Sequence, residues 1–226
     1  MWQDYLILLS DLRINDVLAV KSELATSFFP DEPVFRLFNG VSLYQLGDYS
    51  KAAASLEKGI KLEKVQLNPD LKGQFHAYLG DIYHSLDDDE KSFQHYEEAL
   101  KINENNVIVL NNYSYYLSLE RLELDKAEKM SAKTIELEPG NPTYLDTYAW
   151  VLFQKQRYTE ARFIIERAIE NLKEPNGIYY EHYGDILFKT GDIDGALNAW
   201  KKALELGGHS DILEKKIEKR EYIDVK

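Results

Sequence analysis

Small residues recur at fixed places along this chain, and their spacing limits the folds open to it. Gly40, Gly80, Ser114, Ala149 and Gly184 follow one another at intervals of 40, 34, 35 and 35 residues. Two further series keep step with the first: Ala52, Ser92, Ala127, Ala161 and Ala196, and, seven residues on, Gly59, Ala99, Thr134, Ala168 and Ala203. Between these two series stands a large residue, Leu56, Tyr96, Ile165 or Trp200, with Ser131 the exception. Antiparallel helices approach within roughly 8–10 Å only where one side chain is small and its neighbour fills the groove. The pattern therefore predicts closely packed helix pairs repeating about every 34 residues.

Local signals agree. Asn141 before Pro142 reads as an N-cap with proline at the first helical position, and Asn176 and Asp192 read as N-caps too. Gly207-Gly208 ends the last repeat helix. Ser210 and Asp211 then start one more helix, through about Ile223. Its Ile212, Leu213 and Ile217 form an apolar stripe, while Lys215, Lys216, Lys219 and Arg220 are expected to keep the other side wet. Such a helix would cover the apolar face that a last repeat otherwise exposes, so the chain is expected to be complete at this end.

The segments Leu79-Gly80-Asp81-Ile82-Tyr83 and Tyr183-Gly184-Asp185-Ile186-Leu187 each precede a short acidic or Gly-Asp turn and a second helical pattern. With the spacing above they resemble the tetratricopeptide repeat (TPR) family, and the resemblance covers nearly the whole chain. It implies an all-α fold, a right-handed α-solenoid of tandem antiparallel helix pairs, forming a single TPR domain over 1–226. Repeats are expected at about 33–72, 73–106, 107–141, 142–176 and 177–210, after a degenerate helix pair at 1–32 and before a C-terminal capping helix at 211–226. Extra residues around Leu67-Asn68-Pro69-Asp70 imply a longer turn, and one extra residue falls near Glu120–Asp125. The general pattern resembles bacterial members, which often lie in longer exported or lipid-anchored chains.

Charge narrows the partners. Lys and Arg number 27 against 39 Asp and Glu, a formal charge of -12. Such a surface repels phosphate backbones and anionic membranes, so nucleic acid is excluded and direct membrane insertion is not expected. No stretch is long enough to span a bilayer, and Tyr5-Leu6-Ile7-Leu8-Leu9 does not read as a signal peptide. Because Met1-Trp2 opens inside a helical pattern, an upstream part carrying any export signal is expected to be missing. A soluble chain is expected, cytoplasmic, or periplasmic and envelope-associated if it belongs to an exported protein. Cysteine is absent, which rules out disulfides and thiolate metal sites.

In the resembled family the first helix of each pair lines a concave groove that binds a peptide or partner helix. Carried onto this sequence, the groove positions give ten candidate partner-binding residues: Asp81, Asn111, Asn112, Tyr115, Asp146, Trp150, Phe153, Glu181, Asp185 and Phe188. The carboxylates make the groove acidic and the rings make it aromatic, suited to a segment with basic and apolar side chains. Asn111 and Asn112 could hydrogen-bond a peptide backbone. Alternatively, Trp150 and Phe153 pack against the neighbouring first helix, and the carboxylates are an ordinary solvated face. TPR domains that clamp acidic chaperone tails carry Lys and Arg in the groove, whereas here only Lys189 lies near such a position.

No catalytic motif occurs, and no catalytic residue, metal ligand set or cofactor is expected. His76 and His95 fall at packing or second-helix positions. His182 and Asp185, one turn apart, supply two ligands where a site needs three or four. The expected function is a non-catalytic protein-interaction scaffold. The alternative is an assembly module joining through its open N-terminal face around Trp2 and Tyr5, with the oligomeric state open. A metal-dependent enzyme using the acidic groove is the remote alternative.

Overall fold

The computed structural model describes residues 1–207 and 210–224. Among these residues there are fourteen helices and no strand, so the chain is all-α. It divides into two compact units, Met1–Val109 and Leu110–Lys226.

The N-terminal unit contains α1 (Trp2–Asp11), α2 (Asn15–Phe28), α3 (Pro33–Gln45), α4 (Tyr49–Gly59), α5 (Glu63–Gln66), α6 (Pro69–His84), α7 (Asp89–Ile102) and the start of α8 (Val107–Leu119). The paired helices are α1/α2, α3/α4 and α6/α7. Close approach explains the glycines: a Cβ on Gly40 would lie 2.4 Å from Leu56, and one on Gly80 2.5 Å from the Tyr96 ring. A Cβ on Gly59 would meet Phe75 of the following pair at 2.5 Å. The extra residues near 67–70, expected as a longer turn, instead come with the short helix α5 and the sixteen-residue α6. Val65 of α5 is fully buried in the core with Leu56, Phe75 and Leu79, so the insertion brings its own anchor.

His76 and His95 face each other across the α6/α7 pair, their Nδ1 atoms 2.9 Å apart. The His95 ring stacks on Tyr83, whose hydroxyl donates to Glu57 at 3.2 Å. Burial first, and His95 second, push His76 from 6.5 down to about 4, and burial also lowers His95. Both imidazoles are therefore held neutral by the fold. A base with a depressed folded value contributes stability that is whole above its unfolded value and is lost as pH falls toward the folded one. The melting temperature of this unit is expected to drop between about pH 6.5 and 4, and His76→Leu should flatten that drop. An identical slope in the variant would count against the pair.

The C-terminal unit contains the rest of α8, then α9 (Leu124–Leu137), α10 (Pro142–Gln154), α11 (Tyr158–Glu170), α12 (Gly177–Lys189), α13 (Ile193–Leu206) and α14 (Leu213–Lys219). The expected caps are present: Asn141, Asn176 and Asp192 side chains accept from Thr143, Ile178 and Gly195 backbone N–H groups at 3.1, 3.0 and 3.0 Å. A Cβ on Gly184 would lie 2.3 Å from Trp200. Ala149 and Ile165 are fully buried in one core. At the exceptional Ser131, the hydroxyl turns back to its own helix and donates to the Ala127 carbonyl at 2.8 Å.

Every turn from a first to a second helix places a residue in the left-handed region, at Arg13, Gly47, Asp87, Arg121, Gln156 and Gly191, with φ of 55, 78, 58, 55, 61 and 90°. The repeat is thus written in the backbone as well as in the packing.

The last helix departs from expectation. It spans Leu213–Lys219 rather than running from Ser210 or Asp211 to Ile223. Arg220 takes a left-handed conformation, φ 54°, and stops it. Leu213 is fully buried beside Trp200. Lys216, expected on the wet side, is only 2% exposed, while Lys215, Lys219 and Arg220 do face solvent. Gly208 of the expected stop signal, His209 and the end of the expected cap at Val225 and Lys226 lie outside the described residues.

Candidate partner-binding site

Glu181 and Asp185 lie one turn apart on α12, and the Lys216 side chain from α14 reaches between them. Its Nζ is 2.8 Å from Glu181 Oε1 and 2.9 and 2.8 Å from the two Asp185 oxygens. The Ser210 backbone N–H donates to Glu181 Oε2 at 2.7 Å, and its hydroxyl also donates to Glu181. Trp200 Nε1 donates to Asp185 Oδ1 at 2.9 Å. Burial pushes Asp185 up to about 6, against the pull of Lys216. At Glu181 burial also pushes upward, but Lys216 and Ser210 outweigh it and hold the carboxyl below its usual range.

The N-terminal unit repeats part of this arrangement: the Tyr96 hydroxyl donates to Asp81 Oδ1 at 2.5 Å. Asp81 follows Gly80 as Asp185 follows Gly184. In both repeats the aromatic residue filling the glycine gap carries a donor. Where Leu56 or Ile165 fills the gap, with no polar end, the corresponding first-helix residue is Val41 or Trp150. The aspartates thus answer a buried N–H or O–H, which would cost free energy unpaired.

On α10, Asp146 Oδ1 lies 2.8 Å from His182 Nδ1. Burial lowers His182, but the charge and hydrogen bond of Asp146 prevail and leave it raised. Trp150 stacks between Phe153, at 4.8 Å, and His182, at 4.3 Å. Trp150 Nε1 and Asn111 Oδ1 are buried without a hydrogen-bond partner. Tyr115 of α8 is pushed up to about 12, by burial first and then by Asp146 and Glu181.

After α14 the chain continues across this face as a strap. Tyr222 sets its ring edge-on to Phe153 at 5.6 Å, with Lys189 Nζ 4.3 Å from the ring centre. Both Asp224 oxygens approach Arg121 Nη2, at 2.5 and 2.6 Å, and Arg121 Nε donates to Gln154 at 3.1 Å. A cavity of about 360 Å³ remains beside the strap, lined among others by Tyr115, Leu119, Trp150, Gln154 and Ile178.

Comparison with known proteins places this scaffold. The sequence matches the tetratricopeptide repeat family over residues 39–107 and 149–211, more than half of the chain. The chain belongs to the TPR family. It is 24% identical over 204 residues to the TPR repeat-containing protein MJ1428 of Methanocaldococcus jannaschii, covering 82% of this chain but 34% of that protein. It therefore spans about a third of that relative's length. A tetratricopeptide repeat protein from Parabacteroides merdae superimposes with a TM-score of 0.70 at 17% identity, over 97% of this chain and 82% of that one. The Pseudomonas aeruginosa pilF structure does so with a TM-score of 0.66 at 18% identity, over 83% of each chain. Both show the tandem helix-pair fold of a TPR solenoid.

Within the TPR frame, nine of the ten residues singled out from sequence fall in the C-terminal unit, and Asp81 falls in the other. Tyr115 and Trp150 line the cavity. Asp146, Glu181 and Asp185 are buried and already paired, so they do not form the open acidic surface expected of them. Phe153 is buried, and Phe188 stacks on Trp200 as part of the core. The Asn111 amide donates to Asn112 Oδ1 at 3.2 Å. Sequence reasoning missed Arg121, Lys216, Tyr222 and Asp224. Among the described residues no group of three or more His, Cys, Asp or Glu side chains could hold a metal ion, and no helix is long and apolar enough to cross a membrane.

Proposed function

We propose that this TPR chain is a non-catalytic scaffold that holds a partner polypeptide on the α8, α10 and α12 face of its C-terminal unit, around Tyr115, Trp150 and Phe153. TPR proteins are in general interaction scaffolds. One observation carries the finer reading: a stretch of polypeptide, Tyr222 to Asp224, already rests on this face through an aromatic contact and an ion pair. Asn111, Asn112, Asp146, Glu181, Asp185 and Phe188 then serve mainly as the floor that holds the rings in place. Asp81 has the same supporting role toward Tyr96 in the N-terminal unit.

The test is retention of proteins from the source cell by the immobilised chain, wild type beside Tyr115→Ala/Trp150→Ala. The expected result is a specific protein kept by the wild type and reduced at least tenfold by the variant. Equal retention by both would remove the site from this face.

A second reading, self-association through the N-terminal unit, has its own support. Leu8 on α1 and Leu12 just after its end, and Val20, Leu24 and Phe28 on α2, recur four residues apart and are 53, 60, 64, 42 and 62% exposed. Such a patch marks a contact surface. Light scattering should give a dimer or larger at high concentration, and Leu12→Glu/Val20→Glu should return it to a monomer. A monomeric wild type would end this reading.

A further inference from the structure

The cationic and acidic parts of this face are divided between two ligand-like segments. Lys216 is 2% exposed and Leu213 fully buried, so α14 belongs to the fold. The strap is held differently. The Arg121–Asp224 ion pair is about half open to solvent, with side chains 43 and 45% exposed. Exposed pairs add little stability. Beyond it the strap contributes the Tyr222 ring, packed on Phe153 beneath Lys189, and Ile223, half-buried at the cavity wall. The strap is the part of the tail that can leave while α14 stays.

We infer that the strap is an internal occupant of the binding face, and that the partner is an extended segment with an aromatic residue followed two positions later by a carboxylate. This deepens the reading above and rests on it. Glu181 and Asp185 are buried and share the Lys216 ammonium, and Asp146 is buried against His182, so none of them presents an open carboxylate to a basic ligand. The charges at the strap are instead cationic, Arg121 and Lys189, and both lower or pair with Asp224. An aromatic ring enters the space that Tyr222 holds between Phe153 and Lys189, and a carboxylate two residues on reaches Arg121. The adjoining cavity beside Trp150 and Leu119 leaves room for side chains larger than those of the strap. Because the strap is tethered, it competes at an effective concentration in the millimolar range, and a partner binds only by displacing it.

The experiment uses the full chain and a fluorescein-labelled, C-terminally amidated peptide with the sequence of residues 218–224, followed by anisotropy. Tyr222→Ala/Asp224→Ala removes the strap's aromatic ring and carboxylate and leaves Ile223, Lys216 and α14 untouched. The expected result is at least tenfold tighter binding of the peptide by this variant than by the wild type. Adding Arg121→Glu should weaken binding at least tenfold, and a peptide carrying Asp224→Lys should recover it on that background. Equal binding to wild type and variant, no binding to the variant, or no recovery by the charge-reversed peptide would each overturn the inference. If the peptide fails while the retention assay still depends on Tyr115 and Trp150, the face is right and the ligand class is wrong. If the peptide binds as expected while retention ignores those rings, the ligand class stands and the partner-holding reading falls.

Discussion

Lys216→Ala is expected to destabilise the C-terminal unit by about 3–5 kcal/mol, the cost typical of stranding buried charges by removing their partner. Two carboxylates, Glu181 and Asp185, would lose the cation that satisfies them. Urea denaturation read by tryptophan fluorescence suits the test, since Trp200 is fully buried and bonded to Asp185. Lys215→Ala is the control: its side chain faces solvent, and a shift within about 0.5 kcal/mol is expected. The loss should also depend on pH. Asp185 has a folded value raised from 3.8 to about 6 even with the lysine present. A carboxyl raised in this way favours the folded state below its unfolded value and loses that contribution as pH rises through the folded one. Without the lysine that value moves further up, so the variant should recover stability on acidification from pH 8 to pH 5. A pH-independent loss, or none, would mean that Lys216 does not hold these carboxylates.

The second large effect is at Gly184. Even Gly184→Ala would put a carbon 2.3 Å from Trp200, and relief requires the indole or a helix to shift. Overpacking of this kind typically costs about 1–3 kcal/mol, and Gly184→Leu should exceed that range. The chain itself suggests the repair. One repeat earlier the same positions hold Ala149 and Ile165, both fully buried. Gly184→Ala/Trp200→Ile should therefore regain much of the loss. It should not regain all of it, because Asp185 would be left without the Nε1–H bond of Trp200. A deficit of about 1.5–3 kcal/mol is expected for a bond to a charged group. Full recovery by the double variant would show that this bond contributes nothing.

What the sequence discloses divides along a physical line. The helix pairs were legible because close packing leaves a mark at every repeat: a glycine or alanine wherever Leu56, Tyr96, Ile165 or Trp200 must fit. The caps at Asn141, Asn176 and Asp192 were legible because capping is local chemistry. The direction of a carboxylate was not. Asp185 on a first helix looks like a groove residue until Trp200, fifteen residues on, is recognised as a donor in need of an acceptor. A signal did exist, since aspartate follows the small residue only where the facing aromatic has an N–H or O–H. Lys216 was harder still. A seven-residue helix hardly defines a face, and Lys215 and Lys216 stand side by side with opposite fates. The strap left no periodic mark at all, because extended residues pressed on a ready-made surface need no repeat.

The buried lysine also makes the closing of α12 and α13 depend on residues that follow them in the chain. Domains form progressively as a chain leaves the ribosome, at about 5–20 residues per second. Until residue 216 emerges, α12 and α13 can pair only around two carboxylates that lack their counter-ion, or by keeping protons on them. A product cut short between Gly207 and Lys216 would hold six helix pairs and still lack the charge that seals the last of them. Proteases that sample openings of the α12/α13 pair should cut such a fragment far more often than a chain that includes Lys216.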